Sequence, residues 1–543
     1  MTGEVWGDPH EQTRFTVADT GVADAALQAL VSDRYASRLA EGDGSLWGPE
    51  AQDEASRRIG WVDLSARASK LVEQITRWRE EHLAAGLDRI VLCGMGGSSL
   101  APEVVAHAHG VDLVVLDSSH PDMVRQVVED RLDRTVVVVS SKSGSTVETD
   151  SHRRVFTRAF REVGIDPATR IIVVTDPGSA LALDAEATGQ RVVLADPDVG
   201  GRYSALSAFG LVPSGLAGAD IAGLLAEAEA WRPALSRDDA ENPGLRLGVL
   251  MGCAVRAGVD KGILVDANSA MPGFGDWIEQ LVAESTGKEG TGLLPVAVPR
   301  PDDFNAARPT ADTLVASYGP LRPDPACTSG WSAQVDLPLG AQFLLWEHAT
   351  AVTGRLLDIN PFDQPDVERS KAAARTHLDG AGAEQLPLFT DGPVTVYASP
   401  GLLDGVEPTV ADAVSALLDR LDPERGYLAV EAFVDRLRDE RLAQVRDRLA
   451  VRTRRPVTFG WGPRFLHSTG QYHKGGPAVG VHLQVTGLVE ADLAVPDRPF
   501  TFGEFINAQA AGDAEVLAAA GQPVLRLHLG TPEGLERVIE GCR

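Results

Sequence analysis

Long apolar runs are missing from this chain: nowhere do about 18 apolar residues follow one another, the length a membrane-spanning helix needs. The opening MTGEVWGDPHEQTRF carries neither a basic start nor an apolar core of a leader peptide, so a soluble, cytoplasmic protein is the expectation. Cysteine is scarce as well. Cys93, Cys253, Cys327 and Cys542 are the only four, and no pair has metal-ligand spacing, which argues against a disulfide framework and structural zinc. Each is expected as a small buried apolar side chain in a reducing compartment. Positive charge is outnumbered, with 50 Lys and Arg against 77 Asp and Glu and a net charge of -27. Such a field repels polyanions, so nucleic acid and anionic membranes are not expected partners. An anionic ligand has to find a local nest of donors. No short-period repeat or low-complexity tract is present.

What is present is enough apolar sequence, 44% of 543 residues, to bury several cores. Residues 1–84 read as a helical segment, with apolar stripes at helix-like spacing in 23–39 and 64–83. From there short β-branched runs alternate with helical stretches: RIVLC at 89–93, VDLVVLD at 111–117, TVVVVSS at 135–141, RIIVVTD at 170–176 and QRVVLAD at 190–196. Five buried strands with crossover helices predict a doubly wound parallel sheet over 85–235. The alternation lapses around 231–243, and a second α/β unit with a C-terminal extension is expected over 236–543. Its strand candidates are 262–267, 293–298, 312–318, 456–461, 478–485 and 523–530. The fold class predicted is therefore α/β, two doubly wound parallel-sheet domains with flanking helices.

Two loops of the first unit carry chemistry. GMGGSSLAP at 94–102 follows the first strand and leads into a helix, a turn in which glycines let backbone N–H groups approach an anion. It lacks the full GxGxxG spacing of a dinucleotide site, and no acidic ribose partner follows. A purely structural tight turn would use the same glycines. SSKSGSTVETD at 140–150 sets Ser141, Ser143, Ser145 and Thr146 around a turn that opens a helix. Capping accounts for one such hydroxyl, not four, and a phosphate monoester needs several.

Together, GMGGSS and SSKSGSTVET resemble the sugar-isomerase (SIS) domain, which grips phosphosugars. The resemblance implies two SIS-type sheets, a phosphate held by Ser141, Ser143 and Thr146 with Lys142 assisting, and Gly97 and Ser98 beside the sugar. Further segments are similar to the phosphoglucose isomerase family. GGRYSALSAFGL at 200–211 resembles the signature in which an arginine faces a developing enediolate. That role falls on Arg202, whose guanidinium stays charged and can stabilise an oxyanion without joining proton transfers. QLVAESTGKEGTGLLP at 280–295 resembles the segment whose glutamate moves the proton between C2 and C1, here Glu284. Gln280 lies four residues earlier, on the same helix face, as a substrate contact.

LPLGAQFLLWEHATAVTGRLLDINPFDQPDVERSK at 337–371 is the longest match and places Gln364 on substrate and Lys371 at ring opening. Phe343, Leu344 and Trp346 within it are assigned to packing. RFLHSTGQYHKGGP at 464–477 supplies His467, similar to the ring-opening histidine, since imidazole titrates near working pH. His473, a neighbour, is expected to be solvated or structural. In the common family order the histidine precedes the lysine, whereas here it follows Lys371. That order, with AQAAGD at 508–513, looks like the isomerase half of transaldolase–phosphoglucose isomerase fusions, without a transaldolase half.

The resemblance implies an aldose–ketose isomerase acting on a phosphorylated hexose, glucose 6-phosphate and fructose 6-phosphate, in glycolysis and gluconeogenesis. No cofactor is implied, and no metal, because no His and carboxylate cluster has ligand spacing. The rival readings are a dual phosphoglucose/phosphomannose isomerase, an amino-sugar isomerase, or a non-catalytic phosphosugar-binding SIS protein. Many family members are dimers whose histidine crosses into the neighbouring site. With its histidine elsewhere on the chain, this protein is expected as a monomer or homodimer in which His467 can serve its own subunit.

Overall fold

The computed structural model describes residues 4–7, 12–322, 327–382 and 385–543. The predicted β-branched runs form the first sheet. Its strands are β3 (Arg89–Gly94), β4 (Val114–Leu116), β5 (Thr135–Ser140), β6 (Ile171–Thr175) and β7 (Arg191–Leu194), ordered β4-β3-β5-β6-β7 and all parallel. Successive side chains of a strand point to opposite faces. Val136 and Val138 accordingly enter the large core beneath the sheet, while Val137 and Val139 pack with Phe156 and Phe160 on the other side. Strand order reverses between β3 and β5, and the crevice outside the carboxyl ends at such a switch point is where open α/β sheets bind ligands. The GMGGSS and SSKSGST loops leave those two strand ends.

A second parallel sheet joins β8 (Lys261–Asp266), β9 (Leu294–Val298), β10 (Thr313–Tyr318) and β11 (Ser332–Val335). Here the N-terminal expectation is corrected. Residues 1–84 are not wholly helical, because β1 (Glu4–Gly7) and β2 (Thr13–Val17) extend this sheet antiparallel beyond β11. TRFTV has the alternation of a half-buried strand, with Thr13, Phe15 and Val17 inward, and it covers an edge that would otherwise be bare.

The region 236–543 also departs from expectation. Strand candidates after 390 do not join the second sheet. They form a third, of β12 (Phe389–Asp391), β13 (Val394–Ala398), β14 (Tyr427–Phe433), β15 (Val457–Trp461), β16 (Gly480–Gly487) and β17 (Val524–Leu529), ordered β12-β13-β17-β16-β14-β15. Strands β17, β16, β14 and the edge strand β15 run parallel. Its main core, from Val394 to Cys542, is separate from that of the first two sheets. The parallel strands of the second and third sheets are alike in length and in their share of apolar residues, so sequence alone marks the strands without assigning them to a sheet.

All four cysteines are free; Cys93, Cys253 and Cys542 are buried and Cys327 is half-buried. Among the described residues no helix is long and apolar enough to cross a membrane.

Candidate active site

One cavity of about 480 Å³ lies at the switch point, within the size range of small-molecule sites. Gly97, Ser98, Ser141, Lys142, Ser143, Thr146, Arg202, Gln280, Glu284, Gln364, Lys371 and His467 all line it. Segments spread over nearly four hundred residues thus converge on one cleft.

The serine turn is a cradle of hydroxyls at the start of the helix Val147–Glu162. Ser141 Oγ donates to Thr146 Oγ1 at 3.0 Å, and Ser143 and Ser145 share a hydrogen bond of 2.9 Å. Thr146 stands at the cap position without capping the helix through its side chain, which leaves a helix N-terminus suited to an anion. Lys142 is held at the rim rather than free. Its ammonium pairs with Asp176 at 2.7 Å and donates to the Pro197 carbonyl at 3.2 Å.

The glycine loop is a meeting point of backbones. Gly96 adopts a φ of +53°, and a Cβ there would press on Gln280 Nε2 and the His467 carbonyl. A Cβ on Gly97 would collide with the carbonyl of Gly201, one residue before Arg202. Gly97→Ala is therefore expected to push the arginine loop off its seat. Steady-state kinetics should show kcat/KM reduced by about 10²-fold, the cost of misplacing a catalytic group by about 1 Å. Activity near that of the parent would show that the two loops have slack.

Arg202 is buried and fully committed in direction. Nε donates to Ser285 Oγ at 2.8 Å, Nη1 to Gln364 Oε1 at 2.8 Å, and Nη2 to the carbonyls of Pro361 at 2.7 Å and Asp363 at 3.0 Å. Nη1 also stands 3.6 Å from Glu284 Oε2. The guanidinium is a fixed charge that needs no reorganisation as an oxyanion forms. Glu284 projects from the helix Phe274–Thr286 and is buried, which lifts its carboxyl above the usual range against the opposing pull of Arg202, His467, Gln280 and Lys371. A carboxylate made more basic in this way suits proton abstraction near neutral pH. Gln280, one turn earlier, donates to the His467 carbonyl at 2.7 Å and to Glu284 Oε2 at 3.3 Å. The predicted shared helix face is realised.

His467 comes from the loop between β15 and the helix Gly470–Gly475 and reaches the first sheet within the same chain. Its Nε2 lies 3.1 Å from Glu148 Oε1. Donation to that carboxylate makes Nδ1 the acceptor of the neutral ring. Lys371 lines the cavity from the helix Pro365–Leu378 while pairing with Glu368 at 2.8 Å.

Sequence reasoning missed Glu148 and its support. Gln509 Nε2 donates to Glu148 Oε1 at 2.7 Å, and Ser119 Oγ donates to Gln509 Oε1 at 2.6 Å. Burial alone would raise the Glu148 carboxyl, but the His467 contact and other favourable interactions outweigh it and hold it below the usual range. A glutamate in the first turn of a helix is explained by the helix dipole alone, so nothing in VETD singles it out. The need for a carboxylate to orient an imidazole proposed for proton transfer was the available signal. Lys288 was missed too. It is buried, donates to the Asn360 and Asp363 carbonyls at 2.7 and 2.6 Å, and is pulled down to about 8 by burial and Arg202. It and Arg202 grip the same turn, 360–364.

Other candidates fall outside the site. Phe343, Leu344 and Trp346 are core, as expected, and so is His348, bonded to the Leu344 carbonyl and edge-on to Trp61. His473 is structural rather than solvated, 2% exposed.

The parallel sheets and the hydroxyl-rich cleft at the switch point give the chain an SIS-type fold. No protein-family model matches the chain. Its sequence is similar to those of proteins named glucose-6-phosphate isomerase. It is 28% identical over 423 residues to a probable glucose-6-phosphate isomerase of Natronomonas pharaonis, covering 69% of this chain and 96% of that one. It is 29% identical over 434 residues to the glucose-6-phosphate isomerase of Cyanothece sp., covering 65% and 82%. The crystal structure of a glucose-6-phosphate isomerase from Chlamydia trachomatis superposes with a TM-score of 0.53 at 19% identity, over 68% of this chain and 88% of that one. At that identity the likeness concerns the fold.

Proposed function

We propose that this chain is an aldose–ketose isomerase that interconverts glucose 6-phosphate and fructose 6-phosphate through a cis-enediol(ate). The observation that carries this reading is the placement of the Glu284 carboxylate 3.6 Å from the Arg202 guanidinium, inside the cavity that the serine turn also lines. The phosphate sits on Ser141, Ser143 and Thr146 at the helix N-terminus, with Lys142 behind them. His467, oriented by Glu148, and Lys371 exchange protons with the ring oxygen and the C1 hydroxyl as the ring opens. Glu284 takes the proton from C2 and returns it to C1. Arg202 balances the charge that develops on oxygen between those two steps, and Gln280, Gln364, Gly97 and Ser98 fix the sugar.

A sensor that only binds phosphosugars has no use for a buried carboxylate of raised basicity next to a fixed guanidinium. The test is isotopic: glucose 6-phosphate deuterated at C2 should give fructose 6-phosphate with part of the label at C1 and part in solvent. Binding without turnover would reject the isomerase reading, and equal turnover of mannose 6-phosphate would make the enzyme a dual isomerase.

His467, Glu148 and Glu284 belong to one chain, which supports activity as a monomer. Specific activity should stay constant on dilution, with sedimentation showing single chains; loss of activity in step with dissociation would reject this. A cytoplasmic setting belongs to the same proposal and rests on four free thiols.

A further inference from the structure

The chain shows no metal-ligand spacing in sequence, yet the fold brings together three ligand-bearing side chains that do not line the cleft. Glu431 comes from β14, His482 from β16 and His473 from the helix Gly470–Gly475, and one ligand-capable atom of each lies within 4.8 Å of the others. All three side chains are buried.

Their hydrogen bonds leave a defined gap. His473 Nε2 has no hydrogen-bond partner, His473 Nδ1 has only a Glu431 oxygen at long range, and Glu431 Oε2 has none. Bare polar atoms of this kind are costly in an interior and call for a partner. His473 Nδ1 stands 3.4 Å from Glu431 Oε1. Two ligands on a tetrahedral ion with bonds of about 2.0–2.1 Å are themselves about 3.3–3.4 Å apart. His482 Nδ1 stands 2.8 Å from the same Glu431 oxygen.

On its far side, His482 Nε2 meets Gln522 Oε1 at 2.9 Å. The amide orientation is fixed, because Gln522 Nε2 donates to the His473 carbonyl at 2.5 Å. A neutral His482 that donates from Nε2 presents its lone pair at Nδ1, toward Glu431. Donation of the outer N–H to a carbonyl oxygen, which fixes the tautomer and leaves the other nitrogen as a ligand, is the common surrounding of a metal-bound imidazole. Nearby Lys474 and Asp513 cancel each other's charge at 2.6 Å, so two neutral imidazoles leave the Glu431 charge to be balanced. A proton on His482 Nδ1 would balance it but would leave His473 bare.

We propose that Glu431, His473 and His482 form a buried structural site for a divalent first-row transition ion, zinc by its nitrogen and carboxylate donors. Such an ion ties the helix Gly470–Gly475 to β14 and β16. That helix directly follows the His467 loop, so the ion stabilises the support of the loop rather than touching substrate.

The test uses the full chain, purified from zinc-supplemented cells and measured by elemental mass spectrometry. Wild type should retain about one zinc per chain, and His473→Ala should lose it. Should that variant fail to fold, chelator-treated wild type decides: cobalt(II) should raise a visible ligand-field band that saturates near one equivalent and is abolished by zinc, and zinc should raise Tm. Wild type without zinc, without a cobalt band and without a Tm response would overturn the site and leave a protonated His482 beside Glu431. Isomerase turnover is not a readout here, so the outcome is independent of the proposed activity.

Discussion

Glu284→Gln should lower kcat by about 10²–10⁴-fold, the range a positioned base contributes, with KM little changed. The amide keeps the size of the carboxyl and can still accept from Gln280, so a loss confined to kcat isolates the proton transfer. The pH profile is a second readout. Burial raises the Glu284 carboxyl above its ordinary value, and a base works only when ionised. The acid limb of kcat/KM should therefore lie above that of an ordinary glutamate, with activity falling as pH drops through it. The same shift makes a stability prediction. A carboxyl raised on folding favours the native state fully below its unfolded value and loses that contribution as pH rises through its folded value. Relative to wild type, the variant should gain Tm as pH rises across that window. Wild-type kcat in Glu284→Gln would remove Glu284 from the mechanism.

Arg202→Lys should fare nearly as badly, with kcat reduced by about 10²–10³-fold, as when an oxyanion donor is lost. Charge is conserved in this change but geometry is not. Arg202 donates in four directions, to Ser285, Gln364 and the carbonyls of Pro361 and Asp363, and one ammonium on a flexible stem cannot reproduce that fork. Affinity for a planar anionic enediolate analogue should fall with kcat, while affinity for a non-reacting sugar phosphate should not. Parallel loss of both affinities would mean that Arg202 only shapes the pocket. Removing the charge altogether, in Arg202→Ala, should move the acid limb of the pH profile upward, because Arg202 is the strongest of the groups holding the Glu284 carboxyl down.

The first sheet was legible in sequence because its strands are short apolar runs rich in β-branched residues, TVVVVS above all, separated by helical stretches. The candidate site could be proposed because its residues sit in strings specific enough to be matched one by one, and the fold brings those strings to one cavity. The third sheet was not legible, since its strands look like those of the second and only pairing across long loops separates them. β1 and β2 were hidden by their brevity, four and five residues among helices. Glu148 was masked by an ordinary explanation, and the Glu431, His473 and His482 cluster by its dispersal over three elements with no recurring interval.

The reach of His467 from the third unit back to Glu148 in the first, steadied by Gln509 near the far end of the chain, bears on biosynthesis. A nascent polypeptide halted anywhere before residue 509 lacks the anchor of its imidazole pair, however well its earlier sheets have formed. Truncated products should accumulate as inert polypeptides, and competence should arrive late and all at once during translation.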